Sequence, residues 1–286
     1  MRTLVFLAFC LSTFFVDAQV LNSKGQKMVE RIEAYLPDCD KPYVIVNFDY
    51  NISLELEKIR LCAPLTKTII WEKNGLNLKR TQFNNDNTLN KDYTYKYKLN
   101  KYNVISECLI DVNGNDGSVL RHKYVYGYNV YCQMDSVNKR TFYSKNRGQY
   151  TELSDREDEY FFFDSNGDAF STGLCPYQWK IGQGPSYDMS GNTRQYYYEL
   201  TNDTNIDLGM LYTYFALCDR FEMVTEWCGN HSLHLLERDK GNYFDYEYEN
   251  EYGGNSSSND RGNILNVNVY LFDRLRVKYD IFYKLQ

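Results

Sequence analysis

The chain has five prolines, three histidines and three tryptophans in 286 residues, and no C-x-x-C anywhere. Each scarcity excludes something. Three histidines leave little from which to build a nucleophile–histidine triad, and H-E-x-x-H, G-x-S-x-G and a phosphate loop are all missing. Without C-x-x-C, no cysteine spacing resembles a zinc site. After residue 18 no apolar run approaches the 18 residues of a membrane helix; even Met210–Leu217 is short and ends at Cys218-Asp219-Arg220. The C-terminal Tyr283-Lys284-Leu285-Gln286 is neither a prenylation box nor an ER-retention signal. There is no internal repeat and no long linker. The net charge of −6 argues against nucleic acid and against an anionic membrane as partners.

What the chain does have begins at Met1. Arg2 supplies a positive charge, Leu4–Phe15 is a short apolar run, and Val16-Asp17-Ala18 places small residues before Gln19. This layout predicts a secretory signal over residues 1–18 and a single exported domain over 19–286, any subdivision falling within 140–175. Removal of Cys10 leaves an odd seven cysteines: Cys39, Cys62, Cys108, Cys132, Cys175, Cys218 and Cys228. In an oxidising compartment they read as disulfide staples, with Cys39–Cys62 and Cys218–Cys228 closing the shortest loops, and an odd one left for a monomer's free thiol or a disulfide-linked dimer. Asn51, Asn202, Asn230 and Asn255 each head an Asn-x-Ser/Thr sequon and are candidate glycosylation sites.

Ser23–Leu36 reads as an amphipathic helix, with Val29, Ile32 and Leu36 on one face and Pro37 as a stop. The period then changes to two. From Tyr43 to Leu56 the even positions (Val44, Val46, Phe48, Tyr50, Ile52, Leu54, Leu56) are apolar, which predicts a strand that places Asn51 in solvent. Asp92–Leu99, Tyr102–Ile110, Val119–Cys132, Gln195–Leu200 and Leu211–Met223 supply further β runs, with turns at 111–117 and 164–168. A last alternation, from Leu265 to Tyr283, is broken at Asp273, where a bend or tight turn is expected. The 28 tyrosines suit such half-buried pleated surfaces. The expected fold is mainly β, an antiparallel sandwich or barrel-like sheet with one short N-terminal helix.

Chemistry-bearing constellations are thin. His231 and His234 form H-x-x-H, which on a strand points the rings to opposite faces, and His122 lies in a tyrosine-rich strand. The turns at 111–117 and 164–168 lack the glycine and glutamate of a calcium loop. Acids are abundant and a carboxylate pair has no local signature; the clusters Glu157-Asp158-Glu159 and Asp245–Glu251 are the candidates for carboxylate chemistry. In the second, Asp245, Glu247, Glu249 and Glu251 would line one strand face, with Tyr246 and Tyr248 opposite. Two readings follow: an edge strand whose charges block further pairing, or an acidic-aromatic surface, open to tyrosine sulfation at Tyr246 and Tyr248, that engages a basic protein. No catalytic, cofactor or metal residues are assigned. The expected function is that of a secreted, non-enzymatic extracellular binding or effector protein with a protein partner. The alternatives are a matrix protein crosslinked through Tyr and Cys, and a carboxylate-dependent hydrolase.

Overall fold

The computed structural model describes residues 21–63, 67–163, 165, 167, 169–177, 192–208, 221–232, 234–240, 245–252 and 264–284. Alternation and turn chemistry make sixteen strands among these residues. They are β1 (Val29–Tyr35), β2 (Val44–Tyr50), β3 (Leu56–Ala63), β4 (Lys67–Asn74), β5 (Asn77–Asn84), β6 (Tyr93–Leu99), β7 (Ile105–Asn113) and β8 (Val119–Tyr128). The second half continues with β9 (Met134–Ser144), β10 (Thr151–Phe163), β11 (Ala169–Tyr177), β12 (Asn192–Thr201), β13 (His234–Lys240), β14 (Asp245–Tyr252), β15 (Ile264–Leu271) and β16 (Arg274–Tyr283). Each pairs antiparallel with its neighbours in sequence, and β1 pairs with β16, closing one sheet into a barrel. The region 140–175 runs as successive staves β9 to β11 of this sheet. The mainly β, antiparallel reading of the sequence holds, and of its two alternatives, sandwich and barrel-like sheet, the structure takes the second.

The expected N-terminal helix is a strand. Val29, Ile32 and Ala34 are all fully buried, and the register shifts by one residue between Val29 and Arg31 in the pairing with β16. That bulge breaks the period of two and sets Val29 and Ile32 on the same side, imitating the i, i+3 spacing of a helix. Hydrogen-bonded ladders to β2 and β16 override the local pattern, and Leu36 ends up exposed rather than on an apolar face. At the other end the break at Asp273 is as expected: Phe272 and Asp273, both at positive φ, turn β15 into β16.

Alternation puts the apolar side of each stave inward. Val44, Val46 and Phe48 of β2, Ile59 and Leu61 of β3, Ile69 and Trp71 of β4, and Val267 and Val269 of β15 are all at most 5 % exposed and belong to one core. Tyrosine supplies much of the remainder: Tyr97, Tyr126, Tyr248, Tyr279 and Tyr283 are buried. Tyr50 and Tyr128 show how the tip is satisfied, their hydroxyls donating to the carbonyls of Val29 and Ile105 at 2.6 Å.

The outer side carries charge. Lys58 pairs with Glu72 (2.8 Å), Glu107 sits between Lys98 (3.3 Å) and Lys123 (2.7 Å), and Arg121 makes a bidentate contact with Asp111 (2.6 and 2.8 Å). Arg140–Glu152 and Arg238–Glu247 extend the pattern to β9–β10 and β13–β14. The flanking lysines hold the Glu107 carboxyl below its usual range, chiefly through the Lys123 hydrogen bond.

Six tight turns share one geometry: Asn22–Gln26, Asn51–Glu55, Asn84–Thr88, Asn100–Val104, Gly114–Ser118 and Asn129–Gln133. In each, the fourth residue's N–H donates to the first carbonyl, the first N–H donates to the fifth carbonyl, and the fourth residue has positive φ. This is a type I turn followed by a left-handed residue, the three-residue hairpin loop. Where Asn22, Asn51, Asn100 and Asn129 lead, the side-chain oxygen accepts from the amides two and four residues on.

Candidate functional site: the plugged mouth

The strand directions place Leu21–Met28, the 51–55, 75–76, 100–104 and 129–133 turns and Lys284 at one rim of the barrel. Of the connection from β12 to β13, the described residues 202–208 and 221–232 lie at this rim and reach into the lumen. Ile206, Leu208, Phe221, Val224 and Trp227 are at most 1 % exposed and join the core of inward strand residues. Phe221 packs on Phe48 with ring centres 5.9 Å apart. Beside it the buried Glu222 accepts a hydrogen bond from Tyr97 (3.3 Å), and the Arg80 guanidinium lies 3.7 Å over the Tyr95 ring. Burial pushes the Tyr97 hydroxyl pKa well up, so it stays a donor.

Polar residues lock the plug to the rim. Asn205 accepts from the Val29 amide (2.8 Å) and donates to the Tyr50 hydroxyl (2.8 Å), while its backbone N–H donates to Lys27 O. Glu226 accepts from the Leu56 amide (2.8 Å) and Lys27 pairs with Asp203 (2.7 Å). Gly229, at φ 94°, passes so close to the Cys132 carbonyl that any Cβ there would collide with it, and the next amide, Asn230, donates to that same carbonyl.

His231 is the plug's last anchor. Its Nε2 lies 3.2 Å from the Asn205 carbonyl, which can only accept, so Nε2 carries a proton. Its Nδ1 faces Asp207 Oδ2 at 4.0 Å, and Asp207 also accepts from the Ser232 amide. Burial lowers the His231 pKa against the opposing pull of Asp207. Around this anchor a cavity of about 620 Å³ opens to solvent, lined by Lys24, Asn129, Tyr131, Gln133, Asn230 and His231 among others. Lys24 already donates to Asn230 Oδ1 (3.1 Å) and Gln133 to the Gly167 carbonyl (2.7 Å), so the walls are held in place before any ligand arrives. A wider groove of about 850 Å³ crosses the outer face of β3–β7, but Lys58, Glu72, Lys98 and Glu107 along it are already paired charges.

The residues singled out by sequence scatter. Asn51, Asn202 and Asn230 sit at this rim, each with its side-chain amide engaged: Asn51 in its turn, Asn202 on Thr204 and the Ile206 carbonyl, Asn230 on the Tyr131 carbonyl. Asn51 lies in the β2–β3 turn, where the long strand expected over 43–56 breaks. Asn255 lies outside the described residues, as does Cys218, and the side chains of Cys175, Asp245 and Glu251 lie outside them too. Cys39 and Cys62 form no disulfide, so the expected Cys39–Cys62 staple is absent. The segment Asp245–Tyr252 is stave β14, flanked by β13 and β15, and not an edge strand. Tyr246 and Tyr248 point inward, with Tyr248 3 % exposed, which closes the Tyr248 hydroxyl to sulfation in the folded protein. Glu247 and Glu249 point outward, but Glu247 faces Arg238 and Glu249 accepts from the Tyr270 hydroxyl (3.0 Å). His231 and His234 do not converge, and among the described residues no three His, Cys, Asp or Glu side chains gather as metal ligands. The mouth itself was missed: Lys24, Gln133 and Glu226 lie far apart in sequence, and only the Asn-x-x-x turn spacing hints at them.

No family model matches the chain, and no curated protein does. Solved structures do resemble it. A porin-like protein from Bacteroides vulgatus ATCC 8482 aligns over 90 % of this chain and 99 % of its own, at 12 % identity and a TM-score of 0.53. A porin-like protein from Bacteroides uniformis ATCC 8492 aligns over 91 % of this chain and 99 % of its own, at 11 % identity and a TM-score of 0.51. At that identity the likeness establishes a shared barrel fold and nothing of the chemistry.

Proposed function

We propose that this chain is a secreted, water-soluble, non-enzymatic binding protein: a barrel whose lumen is packed shut and whose ligand is a small polar molecule held at the plugged mouth. The observation that carries this reading is the polarity of the wall. A barrel that spans a membrane as a pore turns an apolar band outward, bounded by aromatic girdles, and keeps a polar interior. Here Trp71, Phe48 and Ile59 face in, while Lys58, Glu72, Glu107, Lys123, Arg121 and Asp111 ring the outside. A lysine or arginine in the lipid midplane costs about 2–4 kcal/mol each. Exposed pairs of this kind contribute roughly 0–1 kcal/mol to stability in water, so their arrangement suits solvent rather than demanding another environment.

The mouth cavity supports the binding half of the proposal. Its preset polar walls and sugar-sized volume suit a neutral or weakly charged polar ligand, with the Lys24 ammonium and the Tyr131 hydroxyl available to it. The test is purification without detergent, followed by planar-bilayer recording and a thermal-shift screen of mono- and disaccharides and dipeptides. A soluble protein, no conductance steps, and a ligand-induced rise in Tm that Lys24→Ala and Tyr131→Ala reduce are expected. Conductance steps, or solubility only in detergent, would overturn it.

A further inference from the structure

We propose that the rim around the mouth docks onto a lipid bilayer surface, inserting the tips of four successive hairpins. Three of those tips carry the four barest large apolar side chains among the described residues, and the fourth carries Leu76, which is half exposed. Ile52 is 103 % exposed on β2–β3, Leu76 53 % on β4–β5, Tyr102 67 % on β6–β7, and Val130 and Tyr131 93 % and 72 % on β8–β9. Adjacent tips are two staves apart, about 10 Å at normal strand spacing, so the row follows half the barrel's circumference. Leu21, also half exposed, stands on the same rim.

Turn chemistry sets this rim apart from the opposite one. Its Asn51, Asn100 and Asn129 turns are capped by a neutral amide. On the far rim the 84–88 and 114–118 turns are capped by carboxylates, Asp86 to the Thr88 amide and Asp116 to the Ser118 amide. The far rim also exposes Leu36, Leu89 and Phe272, but it mixes them with Asp38, Asp40, Asp86, Asp116 and Asp273. Across the four docking turns the only acid is Glu55, and it is paired with Lys73 (3.9 Å). Lys101 lies over the Tyr102 ring (4.9 Å), and Lys24 stands at the mouth, where a lipid phosphate would meet it.

A bilayer fits this surface better than a protein does. The apolar groups stand on separate tips around a polar opening, whereas a protein interface needs a packed apolar centre. Tyr102 and Tyr131 are of the type that settles at the membrane–water boundary, and the charged wall behind the tips limits entry to the turns. The chain's overall charge of −6 does not decide this, because the four docking turns themselves balance one acid, Glu55, with one base, Lys101.

Co-sedimentation of the whole protein with phosphatidylcholine vesicles, and with vesicles containing one-fifth phosphatidylglycerol, tests the proposal. The native chain should bind both, more tightly with phosphatidylglycerol. The variant Ile52→Asp/Val130→Asp, altered only at exposed turn positions, should lose at least tenfold in partitioning with an unchanged Tm. Leu36→Asp/Phe272→Asp on the far rim should bind as the native chain does. Absence of vesicle binding, loss through the far-rim pair instead, or a concentration-dependent dimer abolished by the Ile52/Val130 pair in place of lipid binding would each overturn it. None of these outcomes bears on whether the mouth takes a soluble ligand.

Discussion

Leu54 occupies φ 61°, a left-handed conformation that costs a non-glycine residue about 1–2 kcal/mol. Its turn gains that back through two amide bonds from Asn51. Leu54→Gly removes the strain while adding some chain entropy to the unfolded state, so it should raise stability by roughly 0.5–1 kcal/mol, a Tm gain of about 2 °C by calorimetry. A fall in Tm would show that the leucine side chain contributes more than its backbone loses. His231 sets a pH dependence. Its folded pKa is lowered by burial, so below about 6.5 the unfolded chain takes up a proton that the fold resists, and stability falls as pH falls through that window. Chemical denaturation between pH 5 and 7 should show this slope in the native chain and a flatter one in His231→Gln, whose amide can still donate to Asn205. Equal slopes would place the titration elsewhere. At this scale the turn asparagines carry a mechanism, an Asn leading three loop residues, yet Asn51 and Asn129 fall inside the strands expected over 43–56 and 119–132, because apolar alternation runs on through both turns. The partners of His231 were not legible, since nothing near 231 in sequence points to residues 205 and 207.

Among elements, the plug carries the largest local consequence. Phe221→Ala removes a fully buried ring against Phe48 and should cost about 3–5 kcal/mol, read as a shift in the denaturation midpoint. Phe272→Ala, 63 % exposed, should change it little. Comparable losses in the two variants would mean that the plug does not pack as described. β2 was plain from its alternation, and β16 from its own. β1 was misread because one bulge converts a period of two into an apparent helical step. The plug was out of reach for a different reason. Leu211–Met223 reads as another apolar β run; residues 211–220 lie outside the described residues, and Phe221 at its end joins the core as part of a 3-10 turn rather than a stave.

For the molecule as a whole, closure gives every strand of the described residues a neighbour on both sides, which is why the acids of β14 are not needed to guard an edge. Ending the chain at Asp273 removes β16, uncovers β1 and β15, and should convert a monodisperse protein into one that aggregates on size-exclusion chromatography. A stable monomer lacking β16 would mean that the seam is dispensable. The sequence was sufficient for a mainly β sheet built from many hairpins. It could not distinguish a sandwich from a barrel, because both place the same apolar face inward. That choice rests on one pairing, Val29 to Tyr35 against Lys278 to Tyr283, between residues at opposite ends of the chain.

That seam also dictates a timetable. Every other pairing joins consecutive strands and can zip locally on the microsecond scale of hairpins. The β1–β16 contact must bring together residues 29 and 283, after the largest loop-closure entropy the chain can incur. The plug hydrogen-bonds Lys27 and Val29 at the very start of β1, so it is tied to one of the two strands that make the seam. Refolding should therefore show a fast phase of sheet formation and a slow final one in which the last stave closes on β1.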